Sequence, residues 1–328
     1  MAVLVTGGAG YIGSVTVHGL LEAGEEVVVV DNLSLGHRAA LPAAATFVEA
    51  DILDRTALDA LFSTHAIDTV MHFAARSLVG ESMQKPDLYF ENNVTGAQTL
   101  LGAMTRAGVQ RFILSSTAAT YGMPERMPLT EDFPAQPINP YGRSKRMIEE
   151  MLAWYDHAYG LRWTALRYFN AAGAIPSAGE DHDPETHLIP NIIRAADGRR
   201  DKITVFGSDY PTPDGTCVRD YIHVADLADA HIKAMAYLRD GGESDIFNLG
   251  NAKGTSVLEV IDAVKKISGR DFPVEMAERR PGDPPVLVAS SEKAERILGW
   301  KPERPDIETI VSDAWHWDQA HPQGYGEG

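Results

Sequence analysis

Short apolar runs and amphipathic stretches alternate along the first half of this chain. Residues 2–6 (AVLVT) form an uninterrupted apolar run, the signature of a strand buried on both faces. A glycine-rich turn follows, and an apolar helical periodicity continues from it to residue 23. Residues 27–30 predict a second strand that ends at Asp31, residues 46–49 a third, and residues 57–64 a helix. Another strand is predicted over 69–73, ahead of a long helical pattern over 87–107. Strands at 111–115 and 162–167 flank a helix that carries Tyr141 and Lys145 and runs to residue 159. Strands and helices in this alternation predict an α/β fold built on a doubly wound parallel sheet, which binds ligands at the carboxyl ends of its strands.

From residue 169 the texture changes, with more Pro, Gly and Asp and a less regular alternation. The expected organisation is therefore a first domain over 1–168 and a smaller mixed α/β domain over 169–328. A helix at 224–239 and a strand at 245–249 are expected to return to the first domain, so segments near 220–250 interleave. Further helical patterns lie at 257–268, 291–298 and 307–319, with Trp300, Trp315 and Trp317 read as core. The tail over 321–328 is expected to be mobile.

Composition narrows the function classes. A chain of 328 residues can bury a large core, and 44% hydrophobic with 23% charged residues is ordinary for a globular protein. The net charge of −17 argues against nucleic acid or an anionic membrane as a general partner, so an anionic ligand must be held by local cations. The single cysteine, Cys217, excludes an internal disulfide and a cysteine-based zinc cluster, and no metal is expected. No apolar run approaches membrane-spanning length. The first strand begins at Ala2 and leaves no room for a signal peptide, which predicts a cytoplasmic protein.

Two motifs carry chemistry. The turn after the first strand fits G-x-G-x-x-G (Gly8, Gly10, Gly13) and also G-x-x-G-x-x-G (Gly7, Gly10, Gly13). Glycines there let the backbone approach a pyrophosphate seated at a helix N-terminus. Asp31 ends the second strand 18 residues beyond Gly13, where a carboxylate accepts from a ribose diol and repels a 2′-phosphate, so NAD is favoured over NADP. Tyr141 and Lys145 stand one helical turn apart and share a face. Lowering a phenol from its ordinary value near 10 to near 7 takes roughly 4 kcal/mol, which an ammonium and a cationic nicotinamide ring together can supply. Asp51-Ile52, Phe73-Ala74-Ala75, Asn92 and Ser115-Ser116-Thr117 fall at or near strand ends, with Asp51 read either as an adenine partner or as a turn residue.

These pieces together resemble the extended short-chain dehydrogenase/reductase family and, within it, the UDP-glucose 4-epimerases. The resemblance runs through TGGAGYIGS, DNLS, HFAA with VGES, YFENNV, SSTAATYG, NPYGRSK and LRYFNAAGA. In the second half, VFGSDYPTPDGTCVRDYIHV and RRPGDPP are similar to the family's substrate-binding segments. The resemblance implies interconversion of UDP-glucose and UDP-galactose with NAD tightly bound and regenerated in each turnover. Tyr141 is then the base at the sugar 4-hydroxyl, Thr117 a hydrogen-bonding relay, and Lys145 the cation that lowers Tyr141 and holds the nicotinamide ribose. The implied cofactor contacts are Gly7, Gly10, Tyr11, Ile12, Gly13, Asp31, Asn32, Asp51, Ile52, Phe73, Ala74, Ala75, Asn92, Ser115 and Tyr168, beside Tyr141 and Lys145. Phe206 corresponds to the residue against the uracil, and Arg219 and Arg280 to diphosphate clamps. Asn170, His187, Leu188, Asp283 and Leu287 match further substrate positions. A homodimer is implied, paired through the helices near 87–107 and 141–159.

Three departures stand out. Ser77, preceded by Arg76, occupies a place where some members carry lysine, and His187-Leu188 replace Asn-Leu. Leu287 takes a position where an aromatic side chain restricts the sugar 2-substituent and a small one admits N-acetyl sugars. UDP-N-acetylhexosamines, UDP-pentoses and UDP-uronates thus stay open as alternative substrates. A 4,6-dehydratase would need an acid pair after Thr117, where this chain has Ala118-Ala119. A non-catalytic NAD-binding scaffold would not need Thr117, Tyr141 and Lys145 together, and Cys217 is read as packing.

Overall fold

A computed structural model of the chain describes residues 1–280 and 283–326. The first half runs β1 (Ala2–Thr6), α1 (Tyr11–Glu22), β2 (Val27–Asp31), β3 (Thr46–Glu49), α2 (Arg55–Thr64) and β4 (Ile67–His72). It continues through α3 (Val79–Gln84), α4 (Pro86–Tyr89), a π-helical turn (Phe90–Thr95), α5 (Gly96–Ala107), β5 (Arg111–Thr117), α6 (Pro140–Tyr159) and β6 (Arg162–Tyr168). The second half holds β7 (Asn170–Ala172), α7 (Leu188–Ala196), β8 (Ile203–Phe206), β9 (Val218–Arg219), β10 (Tyr221–His223), α8 (Val224–Arg239) and β11 (Asp245–Asn248). Then come β12 (Thr255–Ser256), α9 (Val257–Ser268), β13 (Val274–Ala277), β14 (Val286–Leu287), α10 (Glu292–Leu298) and α11 (Ile307–Ala320).

Seven parallel strands form the central sheet in the order β3-β2-β1-β4-β5-β6-β11. The pleat divides the apolar runs between two layers. Val3, Val5, Val27, Val29 and Met71 face α1 and α8 through Val17, Leu20, Leu227 and Ala234. Leu4, Val28, Val30 and Val70 face α2, α5 and α6 through Leu58, Leu100, Ile148 and Leu152. Burial on both faces is why these strands read as unbroken valine and leucine. The winding reverses between β1 and β4, which opens a crevice at their carboxyl ends. β11 closes the sheet beside β6, with Asp245 opposite Thr164. A second core gathers α7, α9 and α11 around β8 and β13.

The long helix expected over 87–107 is divided. Pro86 starts a short new helix, and the chain then widens into a π turn before α5. Asn93 accounts for the widening: its Oδ1 accepts from the Arg76 backbone N–H at 2.9 Å, and its Nδ2 donates to the Arg76 carbonyl and to Ser144 Oγ. A buried amide engaged on two elements holds the backbone away from a regular α repeat. The tail is also more ordered than its composition suggests. Tyr325 donates its backbone N–H to Asp181 Oδ2 at 2.8 Å, and its hydroxyl accepts from the Gly179 N–H at 2.9 Å; residues 327–328 lie outside the described residues. Trp300 and Trp317 are buried, Trp315 packs at the edge of the second core, and Cys217 is buried.

One buried ion pair ties α6 to β6. Arg167 donates through Nε to Glu149 Oε1 at 2.9 Å and through its terminal nitrogen to Oε2 at 2.5 Å, with both residues at most 2% exposed. The Arg167 guanidinium also lies 4.7 Å from the Tyr121 ring centroid. Removing one partner strands the other charge, which costs about 3–5 kcal/mol, whereas replacing both with apolar residues costs far less. Glu149→Leu is therefore expected to lower the urea midpoint strongly, and Glu149→Leu/Arg167→Met to recover most of it. An unchanged midpoint in the single variant would contradict this.

Candidate functional site

The crevice between β1 and β4 begins at the glycine loop. Gly7 has φ of 70°, and a Cβ there would stand 2.5 Å from the Ala74 backbone nitrogen. A Cβ on Gly13 would stand 2.2 Å from the Gly7 carbonyl oxygen. Only glycine permits this approach of loop, helix and neighbouring strand end. α1 starts at Tyr11 without a side-chain cap on Gly10, so the first-turn N–H groups are oriented for an anion. Phe73 and Ala74 both donate backbone N–H to the Thr6 carbonyl, at 2.9 and 3.0 Å, which seats 73–75 against that loop.

Asp31 caps the same end of the sheet. Its Oδ2 accepts from the Ala9 N–H at 3.0 Å and its Oδ1 from the Leu33 N–H at 2.9 Å. Burial pushes its carboxyl above the usual range, against the pull of these hydrogen bonds. Asp51 takes the turn role: Oδ1 accepts from Leu53 N–H and Oδ2 from Asn32 Nδ2, each at 2.8 Å. Ile52 is buried against Gly96. Asn92 donates to Asn93 Oδ1 at 2.9 Å, so the structural anchoring in this turn belongs to the neighbouring Asn93.

The catalytic candidates meet where α6 crosses the ends of β5 and β6. Asn139 caps α6 by accepting from the Gly142 N–H at 2.8 Å, and Pro140 opens the helix. Tyr141, Lys145 and Glu149 recur at one-turn spacing on the same face. Lys145, 2% exposed, donates from Nζ to the Ser115 carbonyl at 2.8 Å. Thr117 stands at the Tyr141 phenol, which it acts to lower, and its Oγ1 accepts from the Ala119 N–H at 3.1 Å. Ser115 Oγ and Tyr168 Oη are 2.5 Å apart, and the Tyr89 ring meets Tyr141 edge-on with centroids at 6.5 Å.

The electrostatics of the protein alone sets the starting point for Tyr141. Burial raises Tyr141 above the ordinary phenol range, and only Thr117 acts to lower it. The Lys145 ammonium is itself lowered to about 8 by burial, against the Glu149 carboxylate. Its charge is directed at the Ser115 carbonyl and Glu149, so within the protein alone it does not bring the phenol toward neutrality. Nearby His72 is pushed down to about 3 by burial and Lys145, and pairs with Thr6 Oγ1 at 2.7 Å.

The second half brings Arg219, Asp283 and Leu287 together on and beside β9 and β14, and sets Arg280 against Phe206 at the end of β8. Arg219, opposite Leu287 in the sheet, donates to Asp283 Oδ1 at 2.7 Å and to the Pro284 carbonyl at 3.0 Å. Arg280 lies 4.0 Å from the Phe206 ring centroid, so the face expected for a stacked base is covered by a guanidinium. Pro281 and Gly282 of RRPGDPP fall outside the described residues. Asn170 bonds the Asp220 carbonyl through both its backbone N–H and Nδ2, at 3.2 and 3.0 Å. Leu188 opens α7, whose preceding residue, His187, provides no side-chain cap. The His187 imidazole instead lies between Glu180 and Glu185, which raise it to about 10, while His182 and His187 hold Glu180 well below the carboxylate range. Arg76 reaches Glu81 at 3.8 Å.

Reading the sequence missed Glu149, Arg167 and Asn93. The signal for Glu149 was its place one turn beyond Lys145; Arg167 and Asn93 acquire partners only through tertiary packing.

Comparison with known proteins agrees with this geometry. The model of the NAD dependent epimerase/dehydratase family matches residues 3–250. UDP-glucose 4-epimerase of Halalkalibacterium halodurans is 56% identical over 327 residues, covering 99% of this chain and 98% of that protein. UDP-glucose 4-epimerase from Brucella ovis, solved in complex with NAD, superposes with a TM-score of 0.94 at 49% identity over 96% of this chain and 98% of that one. The Bifidobacterium longum UDP-glucose 4-epimerase, solved with NAD+ and UDP, gives 0.93 at 38% identity, over 99% and 100% of the two chains. With the glycine loop at the switch point and Thr117, Tyr141 and Lys145 at the end of β5, this chain belongs to the NAD dependent epimerase/dehydratase family.

Proposed function

We propose that this chain interconverts UDP-glucose and UDP-galactose by oxidation at C4, rotation of the 4-keto sugar and reduction on the opposite face. The observation that carries this reading is the placement of Thr117 and Tyr141 at the carboxyl end of β5, with Lys145 buried behind them and bonded to the Ser115 carbonyl. That placement beside the glycine loop, and relatives named for this activity, support it.

In this reading bound NAD takes up and returns the hydride and adds the ring charge that the tyrosine environment lacks. Tyr141 Oη takes the proton of the sugar 4-hydroxyl and gives it back on the return step, with Thr117 holding the 4-oxygen in line. Lys145 holds the nicotinamide ribose, and Asp31 accepts from the adenosine ribose diol. Gly7, Gly10, Tyr11, Ile12 and Gly13 receive the pyrophosphate. Arg219 and Arg280 clamp the UDP diphosphate, joined by the Leu188 N–H at the start of α7. The uracil packs at Phe206 once the Arg280 guanidinium turns toward phosphate. Anchoring through UDP leaves the hexose free to rotate, and Leu287 and Asn170 bound its space. The first domain over 1–168 supplies NAD contacts and the remainder of the chain supplies those to UDP, with β11 and α8 returned to the first layer. Curated relatives named UDP-glucose 4-epimerase favour the hexose over other UDP-sugars.

A cytoplasmic setting fits the single free Cys217, and no helix among the described residues is long and apolar enough to cross a membrane. We place a twofold homodimer interface on the outer faces of α5 and α6, where Trp154 is 71% and Tyr159 56% exposed. Sedimentation equilibrium at micromolar concentration is expected to give twice the chain mass, and a monomer mass would refute the interface.

Tyr141→Phe removes the base while leaving the UDP contacts in place. Turnover of UDP-galactose is expected to fall by about 100- to 10,000-fold, with UDP affinity in calorimetry unchanged. Near-normal turnover would exclude Tyr141 as the base.

A further inference from the structure

We propose that Glu180, His182, Glu185 and His187, on the loop between β7 and α7, form a structural binding site for a zinc-class divalent cation. Each side chain offers one ligand atom, and all four atoms lie within 4.8 Å of one another. His187 Nδ1 stands 2.6 Å from Glu180 Oε1 and 2.9 Å from Glu185 Oε1, and His182 Nδ1 stands 3.3 Å from Glu180 Oε1. Zinc bonds to nitrogen and oxygen of about 2.0–2.1 Å require tetrahedral edges of about 3.3 Å, so a small outward shift seats the ion.

A proton on His187 is the competing occupant, and it explains only part of the cluster. It satisfies His187 Nδ1 between two carboxylate oxygens. His182 Nδ1 and Glu185 Oε2 remain buried without a hydrogen-bond partner, although the Glu185 side chain is 1% exposed. Buried polar atoms left unpaired are costly and uncommon. A divalent ion held by both imidazoles and both carboxylates gives the His182 and Glu185 side chains a partner that the proton does not supply, and two carboxylates balance its charge. Two nitrogens and two oxygens suit zinc among the first-row ions, and four protein donors leave no open position, which marks a structural rather than a catalytic centre.

The loop has something to brace. Tyr11 of the glycine loop donates its hydroxyl to the Gly173 carbonyl at 2.5 Å, and its ring meets His182 edge-on with centroids at 6.4 Å. Asp181 accepts from the Tyr325 N–H, and its carbonyl lies 2.8 Å from His37 Nε2. Leu188 and α7 follow His187 directly. An ion here would lock together the glycine loop, the C-terminal tail and the start of α7. The proposed site rests on the Glu-x-His-x-x-Glu-x-His spacing of residues 180–187 and needs no cysteine.

The full chain, made without a polyhistidine tag and purified without chelators, is dialysed against Zn2+ and then buffer and analysed by plasma mass spectrometry. About one zinc per chain is expected. Removal with dipicolinate should lower the melting temperature by several degrees, with recovery on adding Zn2+ alone. His182→Asn and Glu185→Gln should each weaken zinc binding at least about tenfold. Less than about 0.1 zinc per chain with no thermal response to Zn2+ would overturn the site. Full zinc retention in both variants would overturn it as well, because the ion would then lie elsewhere. If a variant fails to fold, the chelation and recovery of the unmodified protein decide the matter. None of these readouts depends on the epimerase reaction.

Discussion

The buried ammonium of Lys145 is the constraint on which the centre of this structure depends. An uncompensated charge out of water costs several kcal/mol, so each neighbour of Lys145 is arranged to offset that cost. The Ser115 carbonyl accepts a hydrogen bond from it, and Glu149 supplies a carboxylate one turn along α6. Glu149 is buried too and needs Arg167 and the Ser116 hydroxyl, 2.8 Å from its Oε1. Arg167 rests on Tyr121, whose hydroxyl donates to Asn248 Oδ1 at 2.7 Å. A succession of compensations thus fixes α6, β5, β6 and β11 around one charged side chain. Tyr141 and Thr117 inherit their positions from that framework.

The same arrangement sets the electrostatics of catalysis. Burial keeps the Tyr141 phenol neutral in the protein alone, which protects it from idle ionisation. In the proposed reaction, activation waits for positive charge brought in with the cofactor, which couples the base strength of Tyr141 to occupancy of the glycine loop. Anion binding follows a similar local logic. The chain carries a net charge of −17, yet Arg219 and Arg280 lie on β9 and the segment before β14, where the proposed diphosphate clamp would override the overall field. Asp283 holds Arg219 in place, so the guanidinium is pre-oriented for a planar bidentate partner.

The sheet was legible because its strands are buried on both faces. Unbroken runs such as residues 2–6 and 27–30 leave little choice of structure, and the helices over 224–239 and 257–268 keep the boundaries their periodicity implies. The glycine loop was legible because close backbone approach excludes a Cβ at Gly7 and Gly13. The π turn was not, since it arises from the contacts of Asn93 with Arg76 and Ser144, which no local pattern encodes. Nor was the order of the tail, which depends on Asp181 lying far away in sequence. The surroundings of Lys145 were not legible for a related reason: spacing puts Lys145 on the right face but does not show that it donates to the Ser115 carbonyl.

The central claim is that hydride leaves C4 and returns to it within one closed site. The direct test is conversion of UDP-galactose carrying deuterium at C4, in ordinary water with no added cofactor, followed by proton NMR. The account predicts UDP-glucose that retains the deuterium at C4, with no net NADH formed. Replacement of the label by solvent hydrogen would mean that C4 is epimerised through a proton rather than a hydride, and would contradict it.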